Sequence, residues 1–202
     1  MSARLLEAGY AVFCPQLFLT WKKKWGPFCD QYVMDFQLKQ VGGSLAALHL
    51  HMLGKIADWI LSRGDVIGNR IGFCGLSYGG LNALMFGAFD PRVAAVVSSC
   101  IVNDPFKHAS ADRTWFGSAE KFSYEEMCSM ICPRPLYMEF STRDQLFSPE
   151  GARAVARHVR RIYTRLGFNK RLETIEFDGR HEFNPGDAPI RFLERHFPPY
   201  LA

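Results

Sequence analysis

Several features that mark specialised proteins are absent from this chain of 202 residues. No apolar run approaches the roughly 20 residues of a membrane-spanning helix, and residues 1–20 lack the pattern of a secretory signal peptide. Internal repeats and low-complexity segments are also absent, which excludes solenoid and collagen-like architectures. We therefore expect a single globular domain over residues 1–202, located in the cytoplasm and without a membrane partner.

Cysteine is present but forms no metal-binding or redox motif. The six cysteines include no C-x-x-C pair. Cys128 and Cys132 are close in sequence, but no histidine or second cysteine pair completes a zinc-binding set. Cys14, Cys74 and Cys100 lie in or at the ends of apolar, strand-like runs, where a thiol behaves as a small hydrophobic group. The sequence therefore predicts no metal, and buried free thiols indicate a reducing compartment.

Positive charge is in slight excess but is not organised into a binding surface. The formal net charge is +4, with one basic run at residues 22–24 and further basic residues between 153 and 165. A nucleic-acid surface needs a basic stripe interleaved with aromatic side chains, and neither group has that pattern. We interpret both groups as solvated faces and predict no nucleic-acid partner.

What the sequence does contain is an alternation of short apolar strands and longer helical stretches. The predicted strands are residues 11–14, 70–74, 93–102, 136–140 and 172–177. The predicted helices are residues 45–61, 81–89, 149–166 and 188–196. This alternation predicts a three-layer α/β/α sandwich, in which helices cover both faces of a mostly parallel sheet.

Residues 103–131 interrupt the alternation. They are polar, aromatic and poorly periodic, and we predict an irregular insertion over the carboxyl ends of the strands, where ligands bind in open α/β sheets. Its aromatic residues Trp115, Phe116 and Phe122 either line a substrate pocket or pack under the loop. The sequence leaves both alternatives open.

The most informative motif is at residues 75–79, which read Gly-Leu-Ser-Tyr-Gly between a predicted strand and a predicted helix. In this context a G-x-S-x-G motif holds the serine hydroxyl clear of the sheet, where it can act as a nucleophile. Side chains at Gly75 and Gly79 would collide because strand and helix approach closely at this turn. The positive end of the following helix suits a developing oxyanion. The alternative is a purely structural turn, since glycine-rich turns are common in α/β folds.

A nucleophilic serine needs a base to take its proton, and that base must be oriented by an acid. His181 is the best candidate for the base, because it follows the last predicted strand through a tight turn. The alternatives are less well placed: His158 lies within an arginine-rich helix, His196 near the end of the last helix, and His108 in the irregular insertion.

For the acid, Asp144 follows the fourth predicted strand after a three-residue turn. Asp104, after the third strand, is the runner-up. Asp178 is expected to support its own turn, and Glu139 to point into the packing of the sheet. The predicted catalytic set therefore consists of residues at the ends of three different strands, namely Ser77, Asp144 and His181.

Four stretches carry a resemblance to a known family: residues 69–80 around the serine, 132–136 before the acid strand, 143–147 and 179–183. With them the chain resembles the α/β-hydrolase superfamily over nearly its full length, most of all the branch of dienelactone hydrolases and acetyl xylan esterases. The resemblance implies Ser77 as nucleophile, Asp144 as acid, His181 as base and the Tyr78 N–H as an oxyanion donor. Dienelactone hydrolases proper use cysteine, so the serine points toward the esterase side.

The function implied is hydrolysis of small-molecule carboxylic esters with a short acyl group such as acetyl, without a cofactor. Two alternatives stay open. One is a non-catalytic hydrolase-like protein that binds a small molecule or a partner. The other is a peptidase or thioesterase on the same scaffold, because a fold does not determine its substrate.

The chain departs from the family pattern at its start. The loop that supplies a second oxyanion donor, often H-G-G, is not found, and residues 1–9 resemble the end of the helix that follows it. The family's first three strands are then expected to be missing, which leaves strands 11–14 and 70–74 each without a neighbour. From this we expect an N-terminally incomplete form of a longer hydrolase.

Overall fold

The computed structural model describes residues 1–18, 30–66, 70–108 and 110–199. Four strands form one sheet, in the order β1 (Ile71–Leu76), β2 (Val93–Ser99), β3 (Leu136–Ser141) and β4 (Leu172–Phe177). Every neighbouring pair is parallel. The predicted parallel α/β sheet is therefore confirmed.

Helices cover both faces of this sheet. In chain order they are α1 (Ser2–Glu7), α2 (Gln31–Gln40), α3 (Leu45–Ser62), α4 (Tyr78–Phe89), α5 (Pro105–His108), α6 (Tyr124–Ile131), α7 (Pro149–Arg165) and α8 (Ala188–His196), with 3₁₀ turns at Ala111–Arg113 and Asn169–Arg171. Helices α1 and α8 pack on one face through Leu5, Ile190 and Phe192. Helices α3, α4, α6 and α7 form the larger core on the other face. The result is the predicted three-layer sandwich.

The strands end at nearly the same level. Leu76 of β1 pairs with Ser99 of β2, and Ser99 pairs in turn with Glu139 of β3. Ser141, the last residue of β3, pairs with Phe177, the last of β4. Because the strands are parallel, the loops that follow them meet along one edge of the sheet.

The predicted strand at residues 11–14 is wrong. Residues 11–17 have no regular structure, and Phe13 and Cys14 are exposed, although Cys14 had been expected in a buried strand. A strand exists only if a neighbour accepts its backbone hydrogen bonds, and no backbone bond joins residues 11–14 to the described residues. The Phe13 ring instead packs edge-on against Trp59, with the ring centroids 5.7 Å apart.

Other boundaries differ from the predictions for local reasons. Strand β2 ends at Ser99 rather than at residue 102, because Cys100 has a left-handed backbone with φ of 48°. The insertion at 103–131 contains helix α6, whose start is fixed by a capping box between Ser123 and Glu126. Helix α2 was not predicted. Cys29 and the basic run at 22–24 lie outside the described residues.

The helices also bear on the expected absence of a membrane partner. Within the described ranges, no helix combines the length and the apolar composition that crossing a bilayer requires.

Candidate active site

Ser77 occupies the turn between β1 and α4 in a strained backbone conformation. Its φ is 55° and its ψ is −118°, a region that residues other than glycine rarely adopt. The turn is anchored to the next strand, because the Ser77 N–H donates to the Ser99 carbonyl at 2.9 Å. The backbone thus turns sharply at this serine, as the motif predicts.

The two glycines of the motif contribute differently. A Cβ atom on Gly75 would lie 1.9 Å from the Gly79 carbonyl oxygen, so only glycine fits there. A Cβ atom on Gly79 would meet nothing within 4 Å, so the predicted collision at this position is wrong. The close approach is instead at Gly80, where a Cβ would lie 3.0 Å from the Ser99 carbonyl oxygen and from Ile101.

Tyr78 begins helix α4. As the first residue of that helix it has an N–H without an intrahelical partner. Its side chain is buried, its hydroxyl donates to the Asp112 carbonyl at 3.1 Å, and its ring packs against His49. Burial raises the pKa of the Tyr78 phenol, so it stays protonated.

The structure brings Asp144 and His181 into direct contact. His181 Nδ1 donates to Asp144 Oδ2 at 2.8 Å. The Asp144 side chain is only 3% exposed and that of His181 17% exposed. Asp144 Oδ1 accepts from the backbone N–H groups of Leu146 and Phe147 at 2.8 and 3.2 Å. With its position fixed by these donors, the carboxylate can hold the imidazole in one tautomer.

Ser77 makes no direct hydrogen bond to this pair within the described residues. Within the described residues, no hydrogen bond of the Ser77 hydroxyl is found. The two are linked through Ser99, whose carbonyl accepts from the Ser77 N–H at 2.9 Å and whose hydroxyl donates to the Glu182 carbonyl at 3.3 Å. The loops of the predicted nucleophile and the predicted base therefore both bond to Ser99, at the carboxyl end of β2.

The other candidate acids have different contacts. Asp104 accepts from the Phe106 N–H at 3.0 Å and so caps helix α5. Asp178 forms an exposed ion pair with Arg143, on the loop after β3, at 2.8 Å. Glu139 is buried in β3, where it contacts backbone and a tyrosine rather than a histidine.

The other candidate histidines also lie apart from the acid. His158 is half-buried in the middle of α7. His196 stacks on Phe192 with ring centroids 4.8 Å apart, and burial lowers its pKa. The side chain of His108 is outside the part of the chain that the structure describes.

Cys100 is a neighbour of the acid–histidine pair that sequence reasoning did not identify. Its Sγ lies within 4.8 Å of the ligand-type atoms of both Asp144 and His181, and no other such His/Cys/Asp/Glu cluster occurs among the described residues. All three side chains are already engaged, since the Cys100 thiol donates to the Glu182 carbonyl at 3.2 Å. Burial raises the pKa of this thiol, which keeps it protonated. Its position depends on the turn after β2, which no sequence signal marks.

The aromatic residues of the insertion border only a small cavity. A cavity of about 40 Å³ is bordered by Trp115, Phe122 and Tyr124, together with Asn103 and Arg113. That volume holds about one water molecule rather than an ester. Phe116 is fully exposed and does not line it.

Known proteins with similar sequences and folds agree with this architecture. The model of the Dienelactone hydrolase family matches residues 1–161, a range that includes Ser77 and Asp144 and ends before His181. The protein named "Putative hydrolase YtaP" from Bacillus subtilis (strain 168) is 33% identical over 118 residues, which are 54% of this chain and 40% of that protein. This chain therefore spans well under two thirds of that relative.

Solved structures show the same fold at low sequence identity. A CE15 glucuronoyl esterase from Caldicellulosiruptor kristjansonii matches with a TM-score of 0.61 and 17% identity, over 77% of this chain and 51% of that one. Methylesterase BT1017 matches with a TM-score of 0.57 and 22% identity, over 76% and 36% of the two chains. A cold-adapted esterase from an Arctic intertidal metagenomic library matches with a TM-score of 0.56 and 15% identity, over 80% of this chain and 63% of that one. The fold is that of the α/β-hydrolases, and since the family model covers most of its residues, the chain belongs to the dienelactone hydrolase family.

Proposed function

We propose that this chain is a serine hydrolase of carboxylic esters in which Ser77, His181 and Asp144 form the catalytic triad. The observation that carries the proposal is the 2.8 Å hydrogen bond between His181 Nδ1 and Asp144, and the strained turn that holds Ser77 at a φ of 55° adds to it. A histidine oriented by an acid is the group that activates a serine hydroxyl for nucleophilic attack. Family membership and the esterase neighbours support a hydrolytic reaction.

The reaction proceeds in two halves. His181 Nε2 takes the proton of the Ser77 hydroxyl while Ser77 Oγ attacks the ester carbonyl, and Asp144 stabilises the resulting imidazolium. The tetrahedral intermediate then expels the alcohol, which receives its proton from His181, and an acyl-enzyme ester is left on Ser77. Water repeats the sequence on that ester and releases the carboxylic acid.

The developing oxyanion needs hydrogen-bond donors. We assign the first to the backbone N–H of Tyr78, which is free at the start of α4 and supported by the positive end of that helix. The sequence contains no H-G-G type loop to supply a second. Removal of one oxyanion donor typically costs about 3–4 kcal/mol of transition-state stabilisation, so the Tyr78 N–H is expected to contribute on that scale.

We further propose that the acyl group is short, such as acetyl. Packing is tight at the start of α4, where a Cβ atom on Gly80 would lie 3.0 Å from Ile101. The cavity next to Leu81, in the first turn of α4, is about 40 Å³. An acetyl group adds a single methyl beyond the carbonyl, whereas longer chains need a channel.

The test is hydrolysis of p-nitrophenyl esters of increasing chain length, together with labelling by a fluorophosphonate probe. The wild-type chain should react with the probe at Ser77 and prefer acetate. Ser77→Ala should lose both activities. Ser148→Ala is a matched control, because Ser148 precedes α7 and its side chain makes no capping bond.

A second candidate is a binding protein that has lost catalysis. It is favoured by the Ser77 hydroxyl, which makes no hydrogen bond to His181 within the described residues. Unchanged hydrolysis in Ser77→Ala would refute the triad. A wild-type chain that neither hydrolyses esters nor reacts with the probe would favour the binding protein.

A further inference from the structure

The loop that carries His181 is held on its inner side by two residues that follow β2. Its Glu182 carbonyl accepts hydrogen bonds from the Ser99 hydroxyl at 3.3 Å and from the Cys100 thiol at 3.2 Å. These contacts lie one residue beyond His181. They fix the backbone of the loop at Glu182, and its following residues are held by other groups.

Glu139 provides the next contact. Its side chain is in the middle of the sheet and the residue is 3% exposed. Glu139 Oε1 accepts from the Asn184 backbone N–H at 2.9 Å, and Oε2 accepts from the Tyr137 hydroxyl at 2.9 Å. Among the described residues no salt bridge to this carboxylate is found, and Arg4 acts on it only through longer-range electrostatics. A buried carboxyl group is costly unless hydrogen bonds satisfy it, and here one of its bonds is made to the histidine loop.

Arg4 of helix α1 holds the same loop from outside. Its guanidinium donates to the Asn184 carbonyl at 2.9 Å and to the Gly186 carbonyl at 2.5 Å. The backbone of Asn184 is thus hydrogen-bonded on both sides, its N–H to the Glu139 carboxylate and its carbonyl to the Arg4 guanidinium. Of these two groups, only Glu139 is buried and carried by a strand, so it is the rigid one.

We propose that Glu139 is a positioning residue for His181: through Asn184 it fixes the loop that holds the imidazole against Asp144. The inference rests on the proposed function, because it assigns His181 the role of the base. A positioning role for Glu139 differs from a purely structural role in one respect. Loss of its carboxylate as acceptor should displace the His181 imidazole even when the sheet stays folded.

Kinetics provide the first test, with three variants. Glu139→Leu removes the acceptor, and kcat for p-nitrophenyl acetate should fall about 10- to 100-fold, as for a small misplacement of a catalytic group, while KM stays near the wild-type value. Glu139→Gln keeps an oxygen that accepts from Asn184 and should retain most of the activity. Glu176→Gln is the matched control, because Glu176 is on the neighbouring strand and pairs with Arg153 instead of the loop.

The pH profile adds a readout that a structural role alone would not move. In Glu139→Leu the acidic limb of kcat/KM, which follows the protonation of the base, should shift from its wild-type position. The ionisable groups that face Glu139 are Tyr137 on the same strand, Cys74 on β1 and Arg4 on α1, and those beside His181 are Asp144 and Cys100. Glu139→Gln removes the same charge but keeps the acceptor. A shift in Glu139→Leu that is absent from Glu139→Gln therefore comes from displacement of the loop and not from the lost charge.

Nuclear magnetic resonance of histidine labelled with ¹⁵N gives a readout that needs no turnover. The hydrogen bond from His181 Nδ1 to Asp144 should give a low-field proton signal in the wild type and in Glu176→Gln, and a weaker or shifted signal in Glu139→Leu. An inactive wild type would refute the proposed function and still leave this signal to decide the role of Glu139.

A folded Glu139→Leu variant with unchanged kcat, pH profile and proton signal would overturn the proposal. If Glu139→Leu does not fold, Glu139→Asp takes its place. It keeps the charge but withdraws the carboxylate from Asn184 by one methylene group, and the same changes in kcat and signal are expected. Wild-type behaviour of Glu139→Asp in all three measurements would again overturn the proposal.

Discussion

At the scale of single residues, the strain at Ser77 is made possible by one neighbour. Gly75 faces the first turn of α4 so closely that a methyl group would overlap the Gly79 carbonyl, at 1.9 Å. Gly79 itself faces open space. The two glycines of G-x-S-x-G are therefore not equivalent. The turn requires glycine at position 75 because of close packing, whereas packing does not require it at position 79.

This asymmetry predicts opposite outcomes for two alanine substitutions. Gly75→Ala should lower the free energy of unfolding by about 1–3 kcal/mol or more and abolish ester hydrolysis, because the backbone must move to admit the methyl group. Gly79→Ala should change stability by less than about 1 kcal/mol, since alanine suits a helix better than glycine. Urea unfolding and ester hydrolysis measure both. Equal losses in the two variants would contradict the packing argument.

The choice of Asp144 over Asp178 can also be tested at this scale. Asp144→Asn should reduce kcat by roughly 10⁴-fold, because the amide no longer holds the correct tautomer of His181. Asp178→Asn should behave like the wild type, since Asp178 is exposed and pairs with Arg143. Steady-state kinetics on p-nitrophenyl acetate distinguish the two. A large loss in Asp178→Asn alone would reverse the assignment.

At the scale of elements, helices α3 and α7 differ in whether a side chain caps their first turn. Helix α3 starts at Ser44, a buried residue whose hydroxyl accepts from the Ala47 N–H at 3.1 Å. Helix α7 starts at Ser148 without such a bond, and Pro149 at its first turn provides the correct backbone angle instead. The two helices lie on the same face of the sheet, so their caps can be compared directly.

The comparison predicts different costs for two serine substitutions. Ser44→Ala should lower the free energy of unfolding by about 1 kcal/mol, because an N–H of α3 loses its acceptor. Ser148→Ala should have little effect. Urea unfolding monitored by circular dichroism, with an unchanged dependence on urea concentration, measures both. A loss in Ser148→Ala as large as that in Ser44→Ala would argue against the capping explanation.

At the scale of the whole molecule, those features of the fold that depend on local sequence pattern could be predicted. Alternating apolar strands and helices gave the parallel sheet, and the turns after the strands placed Asp144 and His181 at one edge, where they form a hydrogen bond. Their catalytic roles, and that of Ser77, stay predictions. The same reasoning failed at residues 11–14, because an apolar run becomes a strand only beside a free edge that it pairs with.

Two further misses have physical causes. Helix α2 was not predicted because the residues it buries include Gln31 and Asp35, so it lacks the apolar stripe that identifies a helix in a sequence. The nearness of Cys100 to the acid–histidine pair was missed because it follows from a left-handed backbone after β2. Such a conformation in a residue other than glycine is imposed by tertiary packing.

The bonds from Arg4 to the loop at Asn184 have a consequence for the order in which the protein matures on the ribosome. The two residues are 180 positions apart, so their contact forms only after the ribosome has synthesised everything between them. The serine turn lies within that stretch and is synthesised earlier. A nascent chain therefore carries its proposed nucleophile before the loop of its proposed base can be fixed by Arg4.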